Sequence, residues 1–148
     1  MKTTPVAPLL QTLLADTYAL FAKTHAAHWN VTGTQFFSLH DAFEDQYKDL
    51  LDAADEIAER LRALGQPAAG GLGTLAKLST LKEPSAKAQS AADLVATLRD
   101  DHRAVAATVK KVLAAAQKAG DDVTADLCVE RLHDHDKTVW MLGSFLSK

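Results

Sequence analysis

Apolar residues in this chain recur at steps of three and four rather than two, which is the period of helices packed on one face. Leu10, Leu14, Tyr18 and Phe21, continued by His25 and His28, form the first such stripe. It predicts a helix from about Pro8, a good first-turn residue, to about Asn30, broken by Gly33. Phe43, Tyr47, Leu50, Ala54, Ile57, Leu61 and Leu64 alternate steps of four and three, the seam of a bundle core. They predict a second helix from about Gln35 to Leu64, stopped by Gly65 and Pro67. Residues 65–89 lose the period. Gly70, Gly71 and Gly73 mark a loop, Thr74–Leu81 predicts a short helix, and Pro84 and Ser85 end it. The next long helix opens at a capping box, Ser90-x-x-Asp93, and ends before Gly120. The last begins at Asp121 or Asp122 and runs to about Leu146.

The 65–89 connection is too long for a tight helical hairpin, so it carries the chain along the length of the bundle. Two helical hairpins joined by a long crossover are the plan of an all-α, ferritin-like four-helix bundle, here with a short extra helix in the crossover and residues 1–148 as one domain. Composition agrees: 47% of residues are hydrophobic, with only 4 Pro and 7 Gly, which favours long helices over a sheet. A net charge of −3 gives no global pull on nucleic acid or anionic membrane. The single Cys128 excludes an intrachain disulfide and fits a reducing compartment. Residues 1–8 lack the apolar core of a secretory signal and no apolar run reaches a membrane-spanning length. The expected location is cytoplasmic.

Four potential metal ligands, His40, Glu44, Asp55 and Glu59, fall on one stripe of the second helix. His40 and Glu59 are nineteen positions apart, roughly 28 Å along a helix, whereas metal–ligand bonds are about 2 Å long. One copy of the helix therefore cannot close a site. The stripe is symmetric about a point between Asp49 and Leu50. Two copies laid antiparallel across a two-fold axis there would place His40 opposite Glu59 of the partner subunit, and Glu44 opposite Asp55 of the partner subunit. His28 lies just before the Gly33 turn and His40 just after it, so an antiparallel hairpin brings them to a similar height. Two imidazoles with three carboxylates suit iron.

A solvated acidic face is the competing reading, since Glu56–Arg60 and Glu59–Arg62 have the spacing of ordinary helix pairs. Against it, Asp55–Glu59 is a like-charge pair that costs a few tenths of a kcal/mol without a counter-ion. Leu51 also sits mid-stripe, where a purely solvated face would carry a polar residue.

Other polar residues carry plainer readings. Glu130-x-x-His133 is half of an intra-bundle di-iron motif, which needs a second such pair. His133, Asp134, His135 and Asp136, and His102 beside Asp100 and Asp101, are expected at the surface. His25 continues an apolar stripe and is expected to be packed and hydrogen-bonded, and Cys128 to be a small buried hydrophobe.

His28-Trp29-Asn30-Val31-Thr32-Gly33, then Phe36-Phe37-Ser38-Leu39-His40, then Asp55-Glu56-Ile57-Ala58-Glu59-Arg60-Leu61 resemble the Dps family, the miniature ferritins of bacteria. The ending Lys137-Thr138-Val139-Trp140-Met141-Leu142 is similar to the family too. The resemblance implies that the intersubunit ferroxidase ligands are His28, His40, Glu44, Asp55 and Glu59, holding a two-iron site whose donors Zn or Mn can also use. The family pattern most often has Asp where Glu44 stands; the extra methylene lets Glu44 bind in another rotamer or displace a bridging water.

Further implications are a hollow dodecameric shell built from two-fold dimers, Fe(II) oxidation preferably by hydrogen peroxide, ferric storage inside and protection from oxidative damage. Trp29, beside His28, either intercepts a stray radical or packs at the helix end. Asp122, Asp126 and Glu130 recur at helical spacing, and copies around a three-fold axis would attract Fe(II); Asp121 or Asp122 alternatively serves as a helix cap. Members that coat DNA commonly carry basic tails. Here the N-terminus offers Lys2 and the C-terminus ends at Lys148, so DNA binding is expected to be weak or absent, without nucleoid association. Two rival classes are a metal-sequestering protein without turnover and a DNA-compacting structural protein.

Overall fold

The computed structural model describes residues 5–148; the reading of Lys2 lies outside them. The order is α1 (Ala7–Asn30), α2 (Phe36–Ala63), α3 (Leu72–Leu78), α4 (Ala91–Ala119) and α5 (Asp122–Leu146), with no strand among the described residues. α1 packs on α2 and α4 on α5 as two hairpins, α1 joins them through α4, and α3 lies against α1. The all-α bundle and its crossover helix are as the periodicity predicts. Among the described residues, no helix is long and apolar enough to cross a membrane.

The helix ends follow their local chemistry. The Val31 amide closes α1 on the Ala27 carbonyl at 2.9 Å, and Gly33 turns the chain at a φ of +106°. The Asp93 amide donates to Ser90 Oγ at 3.1 Å, so the capping serine works as expected. Gly120 ends α4 in the left-handed region with a φ of +69°. Asp121 is the cap of α5: its carboxylate accepts from the Thr124 amide at 3.0 Å. It also accepts from Arg60 of α2 at 2.7 Å, which ties the two helices together. Arg60 thus pairs with Asp121 rather than with Glu56, the helix pair that the competing reading of α2 allowed.

α3 is displaced from the predicted Thr74–Leu81; it begins at Leu72 and ends at Leu78. The cause is Asp16 of α1. Its buried carboxylate accepts from Ser79 Oγ at 2.9 Å, the Thr80 amide at 2.6 Å and Thr80 Oγ1 at 2.9 Å. Those bonds draw the chain out of helical geometry well before Pro84.

The core is centred on Phe43, Leu50, Ile57 and Leu61 of α2, Leu10, Leu13 and Leu20 of α1, and Val95, Val105, Val109 and Val112 of α4. Burying each such side chain stabilises the fold by about 1.5–3 kcal/mol. The α2 seam is as predicted. On α1 Leu10, Leu14 and His28 are buried as predicted, but so are Leu13, Thr17, Leu20, Thr24 and Ala27, while Tyr18, Phe21 and His25 lie at the edge. α1 is covered by α2, α3 and α4, so its buried arc is wide and takes in polar residues that mask the apolar period.

Candidate metal centre

The α1–α2 hairpin fixes one half of the predicted ligand set. Gly33 reverses the chain, and the Phe36 amide closes the turn on the Gly33 carbonyl at 3.1 Å. His28 and His40 then face each other with ring centroids 3.7 Å apart and planes 17° apart. His28 Nδ1 lies 2.8 Å from the His40 carbonyl oxygen, and His40 Nδ1 lies 2.7 Å from the His28 carbonyl oxygen. A carbonyl oxygen only accepts, so both Nδ1 atoms carry hydrogen. In the neutral ring this leaves each Nε2 with a free lone pair, the tautomer a metal ligand needs. The reciprocal bonds also hold both rings in orientation before any ion arrives.

Glu44 follows one turn after His40 and is half-buried. Its Oε1 lies 3.2 Å from Lys48 Nζ and 3.5 Å from the Tyr47 hydroxyl. The hydrogen bond and charge of Lys48 hold its carboxyl below the ordinary carboxylate value, aided by nearby His28. Lys48 thus occupies the carboxylate that a ligand role would require, a contact that sequence spacing did not single out. Trp29 is 63% exposed and its ring lies 3.9 Å from that of His25, which in turn lies 4.3 Å from Tyr47. His25 is packed between two aromatic rings, as expected of it, but without the expected hydrogen bond among the described residues.

Asp55 and Glu59 stand apart from this group, exposed on the far half of α2. Among the described residues, no three His, Cys, Asp or Glu side chains converge within the chain on a point that could hold an ion. Between the two halves, Leu51 is 44% exposed, and it borders a groove with Asp52, Asp55, Leu14, Tyr18 and the 76%-exposed Leu72. Glu59 shares a shallow groove between α2 and α5 with Glu56, Asp126 and Glu130. Asp126, Glu130 and Asp122 are all exposed.

Two surface assignments are overturned. His102 and His135 are only 3% and 1% exposed, and their Nδ1 atoms are 2.9 Å apart across the α4–α5 contact. The helical register explains it. Val95, Leu98, His102, Val105, Val109 and Val112 are one buried stripe at steps of three and four, and Cys128, Arg131, His135 and Leu142 are its counterpart. That spacing was the available signal. His133 and Asp136 are exposed as expected, Asp134 is half-buried, and Cys128 is fully buried.

Comparison with known proteins agrees with this architecture. Residues 8–148 match the model of the ferritin-like domain. The chain is 34% identical to the DNA protection during starvation protein of Helicobacter pylori, over 94% of this chain and 96% of that protein. The crystal structure of a Dps protein from Bacillus brevis superposes with a TM-score of 0.95 at 33% identity, covering 99% of this chain and 100% of that one. A Dps protein from Vibrio cholerae, described as a member of a broad superfamily of ferritin-like diiron-carboxylate proteins, gives 0.92 at 30% identity, covering 96% and 89%. With the helical order, the crossover and the paired histidines at the hairpin, these likenesses establish that the chain belongs to the Dps family of ferritin-like proteins.

Proposed function

We propose that the protein is a ferroxidase and iron-storage protein whose sites lie between subunits. The observation that carries this reading is the His28–His40 pair, locked by reciprocal bonds so that both Nε2 lone pairs are free. His28, His40 and Glu44 of one subunit supply one side of the site, and Asp55 and Glu59 of the partner subunit supply the other. The exposed strip around Leu51 is the face on which the two copies of α2 meet. Iron is the substrate. Two ferrous ions held together each give one electron to hydrogen peroxide. With two protons the O–O bond breaks to two waters, and no single-electron step releases hydroxyl radical. In this reading peroxide is preferred over oxygen, and Trp29, exposed and next to His28 in the chain, either scavenges a stray radical or packs at the helix end on His25. Ferric product is stored in the hollow of the closed shell, and Asp122, Asp126 and Glu130 attract Fe(II) towards it.

The test is complementation. His40→Ala and Glu59→Ala are each expected to abolish rapid oxidation. Re-assembled as an equal mixture, they pair in half of the dimers, and each mixed dimer has one intact site of two, so about a quarter of the wild-type rate returns. No recovery on mixing, with correctly assembled shells, would sink the shared site. Peroxide-driven and oxygen-driven oxidation at equal rates would remove the oxidant preference. DNA binding is proposed to be weak, because a subunit of net charge −3 offers phosphates no general attraction. Retention of duplex DNA in a gel shift at physiological salt would contradict that.

A further inference from the structure

The ferritin-like bundle has, at its middle, a polar layer that the proposed site does not use. His102 of α4 and His135 of α5 are buried there and joined Nδ1 to Nδ1 at 2.9 Å. A bond between two imidazole nitrogens needs one to donate and the other to accept, so at least one ring must be neutral. Neither Nε2 has a partner, although both atoms are shut away from solvent. Arg131, one turn before His135, is itself buried; it bonds Asp134 at 3.1 Å and reaches Asp49 of α2 at 3.4 Å. On the α1 side, Lys23 pairs with Asp101 at 2.6 Å. A cavity between α2, α4 and α5 is lined by Asp45, Asp49, Asp134 and Lys137 and by His102.

We infer that the His102–His135 pair is an acid-sensitive latch, which holds α4 to α5 while neutral and lets them part when acid drives protons onto the rings. A cation created between the rings would be buried, with no hydrogen-bond partner at either Nε2 and with the buried Arg131 guanidinium close by. Opening α4 from α5 hydrates both rings and removes that cost. Burial holds the His102 ring down at about 3, with Arg131 adding to it. Burial likewise holds His135 down at about 2, with His102 and Arg131 adding. The ordinary imidazole value is near 6.5. Below it the open state binds protons that the closed state refuses, so closure weakens as pH falls from about 7 towards 3. Ordinary carboxylates titrate near 4; burial raises that of Asp101, which is retained when the two histidines are replaced, so its contribution is common to wild type and variant.

The experiment compares thermal midpoints of the assembled protein at pH 7.5 and 5.0 with those of the double variant His102→Leu/His135→Leu. The acid-induced fall of the wild type is expected to exceed that of the variant by roughly 10 °C; the other histidines are common to both and cancel. An equal fall in both proteins overturns the latch. A second measurement needs only the wild type: hydrogen exchange at the same two pH values, corrected for intrinsic rates. Facing core amides of α4 and α5 are expected to lose protection at least tenfold more than those of α1 and α2. Uniform loss across the four helices refutes the idea.

Discussion

Asp16→Ala is the sharpest test of how the crossover is held. The Asp16 carboxylate is fully buried and accepts four hydrogen bonds: Ser79 Oγ at 2.9 Å, the Thr80 amide at 2.6 Å, Thr80 Oγ1 at 2.9 Å and Thr108 Oγ1 at 2.8 Å. Bonds to a charged acceptor contribute about 1.5–3 kcal/mol each, but they share one acceptor and do not add. Ser79 and Thr80 can rehydrate when the carboxylate is gone, whereas the Thr108 hydroxyl stays buried. Removing the carboxylate also removes its own desolvation cost. The net loss is expected to be about 3–5 kcal/mol, which lowers the melting midpoint by roughly 10 °C in a chain of this size. Asp16→Asn retains one acceptor oxygen and should fall between. Thr108→Val, which deletes only one donor, should cost about 1–2 kcal/mol. Calorimetry reads the midpoint, and limited proteolysis reads the crossover, which should become cleavable between residues 79 and 89. If Asp16→Ala melts within about 2 °C of the wild type and the crossover stays uncut, the carboxylate does not anchor it.

Three further outcomes are expected. Cys128 is buried, and burial, with Asp121 adding, pushes its thiol up to about 11; a thiol reagent should label it only on unfolding, and fast labelling of the native protein at pH 8 would contradict this. Burial alone would raise the Asp121 carboxyl, but Thr124 and Arg60 together hold it below its ordinary 3.8. Its contribution is therefore present above that value and lost as pH falls through the lower folded one. Arg60→Ala should cost about 1–2 kcal/mol at pH 7 by urea unfolding, a gap that narrows in strong acid to what the Arg60 Nε bond to Thr124 Oγ1 contributes; a gap independent of pH would refute the coupling. Asp126→Asn should slow iron uptake at low Fe(II) while leaving oxidation at saturating iron unchanged, and unchanged uptake at every concentration would remove Asp126 from the entry route.

The sequence by itself determined the helices of this protein, because an amphipathic period and its Gly, Pro and Ser punctuation are local properties of the chain. The α2 seam from Phe43 to Leu61 and the caps at Ser90 and Gly120 were readable in this way. The spacing of His40, Glu44, Asp55 and Glu59 was readable too: its symmetry about Asp49 and Leu50 follows from the sequence, and the proposal of a site shared with a second copy rests on it. What only the tertiary structure decided are the contacts between residues far apart in the chain. Asp16 ends α3 from 63 positions away, and Lys23 and Thr17 are buried although their residue types suggest a surface. His28 and His40 could be placed at one height from sequence, but the tautomer that frees each Nε2 is set by the other residue's backbone carbonyl. His102 and His135 were misread because a histidine carries no fixed preference for core or surface, so their place on the buried stripes at steps of three and four was the one local signal and by itself did not decide. The packing of α4 on α5, which buries both rings against each other, supplies the missing term.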